Sequence, residues 1–331
     1  MFRCLDAGKQ RGLVKYLDTK LPKYHFDERQ TLLNMNSGSH EHSNSSQSLP
    51  VPGGIYLCQV DENVSCGACC GLYNCAGVSR RYLEGLIAGR TEAFRRVPRT
   101  ADAISDFQVK MDRQDPRPRP YPDFYHCPFL GFIGANGRRV GCLLHPMADG
   151  NDGIDYRGLS FYGGLACRDY FCPSYRNLPA AHKEIVKAVC TDWYLYGLVI
   201  TEDRLLSAFF GEIEKRLGHA LSMADILAQA NSRQAVLEFL TLKQNWPYRV
   251  PDGKGPANYF FNDDLYPKPP VDYARLGVTP SALDPILREL SSAFDLPAAL
   301  HRAETLMESL FDRILRPAVQ PGVTPGGLAI P

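Results

Sequence analysis

The chain predicts an α+β fold that is mostly helical, with an irregular cysteine-rich metal-binding region followed by a helical bundle. Three observations lead there. Nine of the eleven cysteines fall between Ile55 and Arg176, among many glycines, prolines and aromatics. After Pro179 the apolar residues recur at spacings of three and four, the period of a helix with one buried face. Between Asn34 and Gly54 lies "NMNSGSHEHSNSSQSLPVPGG", with too little apolar surface to offset the entropy of ordering it.

Taken in order, residues 1–54 are expected to be a flexible arm and linker. Residues 55–178 form the cysteine-cluster domain, with two helices embedded in it. "SRRYLEGLIAGRTEAFRR" opens on Ser79 and "TADAISDFQVKMDRQ" on Thr100, each a good N-cap. "DPRPRPYPDF" reads as an extended connector. Residues 179–316 form a helical domain from "AAHKEIVKAVCTDWYLYGLVI", "TEDRLLSAFFGEIEKRLG", "MADILAQANSRQAVLEFLTLKQ", "SALDPILRELSSAFD" and "LPAALHRAETLMESLFDRIL". The stretch from Trp246 to Tyr273, rich in proline, glycine and aromatics, is expected to be a hairpin or covering loop. Residues 317–331 should be disordered.

Charge balance narrows the function. Lys plus Arg number 37 against 36 Asp plus Glu, so no basic face for nucleic acid or an anionic membrane is advertised. The start of the chain carries no signal-peptide core, and the apolar run Ala188 to Ile200 is too short to span a bilayer. The expected setting is the cytoplasm. Reductants there keep thiols free, so clustered cysteines point to metal ligation or redox chemistry sooner than to disulfides.

The thiols sort into Cys66, Cys69, Cys70 and Cys75, then Cys127, Cys142, Cys167 and Cys172, with Cys4, Cys58 and Cys190 apart. Groups of four thiolates suit tetrahedral zinc or an iron-sulfur cluster. Cys66 and Cys69 are spaced to meet one metal around a turn that Gly67 allows. The side chains of adjacent Cys69 and Cys70 diverge in most backbone conformations, which favours a polynuclear centre or two neighbouring sites. His145, three residues after Cys142, is a candidate nitrogen ligand, and His126 a weaker one. Arg157, Arg168, Arg138 and Arg139 are available to offset thiolate charge. Cys190 reads as a small core residue on a helix face. "CGAC" lacks the strand and helix that a thioredoxin-type dithiol needs.

At these residues the sequence resembles the YkgJ-type cysteine-cluster family, a family of zinc- or iron-chelating domains. The resemblance rests on "CGACC" with Cys66, Cys69 and Cys70, "CPFL" with Cys127, "GCLLH" with Cys142, and "CRDY" with Cys167 followed by Cys172. It covers residues 58 to 175. The fullest family pattern has one more cysteine three places before Cys66, where this chain has Asn63, and a short link where it has "MADGNDGIDYRGLSFYGGLA". The resemblance implies a metal ion or an iron-sulfur (4Fe-4S) cluster. A flagellin lysine N-methylase with a similar cluster offers a precedent for protein methylation. Three functions are therefore expected in order: a metal-binding protein, a metal-dependent modifying or redox enzyme with a protein substrate, and a structural-zinc interaction scaffold.

Overall fold

In the computed structural model the described residues are 51–75, 78–114, 118–122, 124–134, 136–251, 255–257 and 268–315. The expected arm and tail lie almost wholly outside them, as do Cys4, part of the Pro-rich connector and much of the Trp246 to Tyr273 loop. The described chain is mostly helical and carries one two-stranded sheet. Among the described residues no helix is long and apolar enough to cross a membrane.

Both early helices start where their caps predict. Helix α1 spans Arg80–Arg95, with the Ser79 side chain accepting from the Tyr82 amide. Helix α2 spans Ala101–Gln114, with Thr100 Oγ1 accepting from the Ala103 amide at 3.3 Å. Then β1 (Leu130–Ile133) pairs antiparallel with β2 (Arg139–Cys142), placing Leu130 opposite Cys142. Helix α1 packs against β1. A short helix α3 (Gly163–Asp169) carries Cys167, and a single helical turn, Ser174–Asn177, follows Cys172.

The later half departs from the expected helix lengths at three places. The apolar run from Ala180 is divided into α4 (Ala180–Val189) and α5 (Trp193–Val199). Asp192 causes the break: its carboxylate accepts from the Tyr194 and Leu195 amides, which starts a new helix. Cys190 is therefore the extended residue that ends α4 instead of a helix-face residue, although it is 2% exposed, as a core residue should be. After α6 (Asp203–Leu217), closed by Gly218 in the left-handed region, the next run also splits, into a turn at Met223–Leu227 and α7 (Ala230–Asn245). "SALDPILREL" yields only a short helix, Asp284–Glu289, and α8 (Pro297–Leu315) completes the order.

Helices α7 and α8 pack closely together. Phe209 of α6 stacks on Phe239 of α7 with centroids 3.5 Å apart and meets Phe311 of α8 at 5.6 Å. The core they build is not confined to the helical half. Leu57, Val64, Leu72, Tyr73, Leu83 and Ile87 belong to the same apolar cluster as Phe209 and Phe311. A second cluster gathers Phe94, Phe107 and Phe129 with Cys127. All described residues fall in one compact unit beginning at Pro50, so the position near 179 separates two textures of sequence that share one core.

Candidate metal centre

The thiols are brought together by local turns first. Asp61 caps a tight turn by accepting from the amides of Asn63 and Val64 at 2.7 and 2.9 Å. That turn pairs Gln59 with Ser65, and the Cys66 amide donates to the Cys58 carbonyl at 2.8 Å. Cys58 thus lies beside Cys66, while Asn63 stands exposed at the tip of the turn. A single 3-10 turn, Ala68–Cys70, follows and is closed by Gly71 at φ +83°.

Longer-range contacts then join the other segments. The Cys127 amide donates to the Cys70 carbonyl at 2.8 Å, and a Cβ at Gly71 would sit 2.3 Å from the Tyr125 carbonyl oxygen. Two residues after Cys127, Phe129 accepts from the Leu143 amide at 2.8 Å, which extends the β pairing past Cys142. On the other side, the buried Tyr175 hydroxyl accepts from the Leu57 and Cys58 amides at 2.8 and 3.1 Å and lies 3.2 Å from Cys58 Sγ. Tyr175 is fixed in turn: its amide donates to the Cys172 carbonyl at 3.0 Å, and its own carbonyl accepts from Lys183 Nζ at 2.7 Å. Cys58 and Cys172 are held near each other by this one ring.

Eight thiols result from these contacts: Cys58, Cys66, Cys69, Cys70, Cys127, Cys142, Cys167 and Cys172. Each lies close enough to others of the set to affect their ionisation. Six of them keep some accessible surface, and Cys127 and Cys172 are buried. Cys75 is placed elsewhere, in the apolar core with Sγ 3.9 Å from the Leu72 carbonyl and near Tyr194.

Burial dominates the electrostatics. It pushes the Cys58, Cys142 and Cys172 thiols up to about 12, and raises Cys66, Cys127 and Cys167 as well, because a thiolate loses its hydration there. Cys69 moves the other way: the Cys70 thiol hydrogen-bonds to it, which lowers Cys69 and raises Cys70. Several groups oppose the burial cost. Backbone amides two residues onward donate to the sulfurs, Ala68 to Cys66 at 3.5 Å, Phe129 to Cys127, Leu144 to Cys142 and Ser174 to Cys172. The Arg157 guanidinium, paired with Asp155 at 2.6 Å, lowers Cys142 and Cys167. Arg90 does the same for Cys127, a role not foreseen from sequence. Arg168 instead pairs with Asp169 on the surface, and Arg138 is exposed.

Neither histidine is arranged as a neutral ligand. His145 Nδ1 accepts from the Met147 amide at 3.1 Å, which leaves the ring proton on Nε2, the nitrogen that would have to ligate. His126 Nε2 faces the Arg90 guanidinium at 2.8 Å, and burial with that positive charge pushes it down to about 3.

Among the described residues, no three His, Cys, Asp or Glu side chains stand tightly enough together to form a ready metal-holding group. The thiols are neighbours at the range of charge interaction and are not gathered at the range of shared ligation. The residue types still fit a thiophilic metal: all eight are sulfur, four receive amide donors, and the buried thiolates need a cation to exist. No protein-family model, curated protein or solved structure matches the chain.

Proposed function

We propose that the protein binds a thiophilic metal, zinc or an iron-sulfur cluster, through Cys58, Cys66, Cys69, Cys70, Cys127, Cys142, Cys167 and Cys172. The observation that supports this most strongly is that eight thiols, drawn from residues 58 to 172, come near enough to influence one another, with backbone amides donating to sulfur at four of them. A packing role for the cysteines gives no reason for such a gathering, since buried thiols with raised pKa values pack equally well apart. Bound metal would supply the positive charge that lets these sulfurs ionise. The protein's own residues orient the thiols, donate amide hydrogen bonds and place Arg157 beside Cys142 and Cys167. Ligation requires proton loss, so binding should release protons.

Anaerobic purification followed by metal and acid-labile sulfide analysis tests this reading. It expects stoichiometric metal, with sulfide if the centre is an iron-sulfur cluster. Protein that holds no metal as isolated and takes up neither zinc nor iron with sulfide under reducing conditions would refute it.

A further inference from the structure

We propose that Tyr175 is a positioning residue for Cys58: its buried hydroxyl donates its proton to the Cys58 sulfur, supplying there the hydrogen bond that a backbone amide supplies at four of the other thiols. This role rests on the metal-binding reading above and names the partner that orients one of its sulfurs. At Cys66, Cys127, Cys142 and Cys172 the donor is the amide two residues onward. At Cys58 that amide belongs to Val60, and it is spent on the Val64 carbonyl at 3.0 Å, within the turn that Asp61 caps. The Cys58 sulfur therefore needs a donor from elsewhere in the chain.

The Tyr175 hydroxyl meets that need. It accepts from the Leu57 and Cys58 amides at 2.8 and 3.1 Å, which fills its acceptor capacity and leaves its one proton to be given away. Cys58 Sγ lies 3.2 Å from it. A sulfur that has lost its proton, free or metal-bound, accepts such a bond far better than a neutral thiol does. The hydroxyl has little freedom to turn aside. Tyr175 is fully buried, its ring packs on Phe171 with centroids 4.7 Å apart, and its amide and carbonyl are held by the Cys172 carbonyl and by Lys183 Nζ. The Leu57–Cys58 segment is gripped from a second side, where the Tyr196 hydroxyl donates to the Leu57 carbonyl at 2.8 Å. Two tyrosines thus hold one short segment: Tyr196 bonds its carbonyl, whereas Tyr175 bonds its amides and the sulfur. A hydrogen bond to a ligating sulfur fixes its direction and draws electron density from it, which tunes the metal it holds.

The test loads the full-length protein with cobalt(II), whose thiolate charge-transfer bands report on the ligating sulfurs. Tyr175→Phe should bind as many ions as the unaltered protein, with affinity lowered by about 10–100-fold. Its charge-transfer band should move to longer wavelength, because a sulfur has lost its donor. Tyr196→Phe removes the neighbouring hydroxyl, which bonds the Leu57 carbonyl instead of the sulfur, and should leave the band where it is. An unmoved band in Tyr175→Phe, or an equal shift in Tyr196→Phe, would overturn the role given to Tyr175 and leave the metal-binding reading standing. In the unaltered protein loaded with a magnetic isotope of cadmium, the Tyr175 hydroxyl proton should exchange slowly with water and couple to the metal through the Cys58 sulfur. A cadmium-loaded protein without that coupling would overturn the same role, with no variant required to fold. No metal uptake by the unaltered protein would overturn both readings.

Discussion

Alanine in place of Gly71 strikes the contact between the segments that carry Cys70 and Cys127. The residue holds φ at +83°, and a Cβ there would lie 2.3 Å from the Tyr125 carbonyl oxygen and 2.7 Å from His126 Cα. Ordinary contact begins at 3.4 Å, so the 125–127 segment has to supply 1.1 Å, 3.4 less 2.3. A retreat of that size takes the Cys127 amide out of bonding range of the Cys70 carbonyl, now 2.8 Å away. The left-handed conformation costs a residue other than glycine about 1–2 kcal/mol, and stranding a buried backbone group costs about 1–3 kcal/mol. Gly71→Ala should therefore destabilise by about 2–5 kcal/mol. Gly137, at φ +58° with nothing within 4 Å of its Cβ position, supplies the comparison: alanine there should cost only about 1–2 kcal/mol for the conformation itself. Urea unfolding of the metal-loaded protein measures both. Equal losses at the two positions would refute the claim that the close approach at Gly71 holds the Cys70 and Cys127 segments together.

Three further outcomes are expected. Lys243 is fully buried, 2.9 Å from Glu202 but poorly aligned for a hydrogen bond, and burial pushes it down to about 7 from an ordinary 10.5. The unfolded chain then binds the proton that the folded chain releases, so this residue makes stability rise as pH climbs from about 7 to 10; Lys243→Met should flatten that rise in melts taken across the window, and an unchanged slope would count against the lowered value. His145→Ala should retain all bound metal, as measured by metal content after gel filtration, and loss of an ion would mean that its ring is turned. Chelation under reducing conditions should expose the helical half to protease along with the cysteine region, because Leu57, Leu72 and Tyr73 share a core with Phe209 and Phe311; a resistant fragment starting near residue 179 would show two independent units.

The parts of the fold legible in sequence were those governed by neighbours in sequence. Ser79 and Thr100 cap the helices they were read to cap, and the apolar spacing after Pro179 does mark helices. Interruptions were harder to see. Asp192 carried a capping signal, but it sat inside an unbroken apolar run, and the turn before Gln229 has no proline or glycine to announce it. The sheet around "GFIGANGRRVGC" was also passed over, although Asn136-Gly137 between two apolar stretches is a turn signal. Cys58 shows a different limit. Its position depends on a turn made by the Asp61 carboxylate and on the Tyr175 hydroxyl 117 residues away, and pairings at that distance leave no periodic trace. Nor could the burial of Lys243 against Glu202, with Lys268 and Glu289 beside them, be read from four charges spread over residues 202 to 289.

Tyr73 gives the cysteine loop a fixed hinge on the rest of the molecule. Its ring lies three residues beyond Cys70, its hydroxyl donates to the carbonyls of Trp193 and Tyr194 at 3.2 and 3.1 Å, and it fills the space above Gly197 so closely that a Cβ there would fall 2.3 Å from it. A tenon seated this way leaves no play. A tightening of the turn at Cys69 and Cys70 would be passed as a push on the first turn of α5, and through α5 to α7, which packs against it. Gly197→Ala should push the Tyr73 ring out of this seat and so loosen the linkage between the cysteine turn and α5.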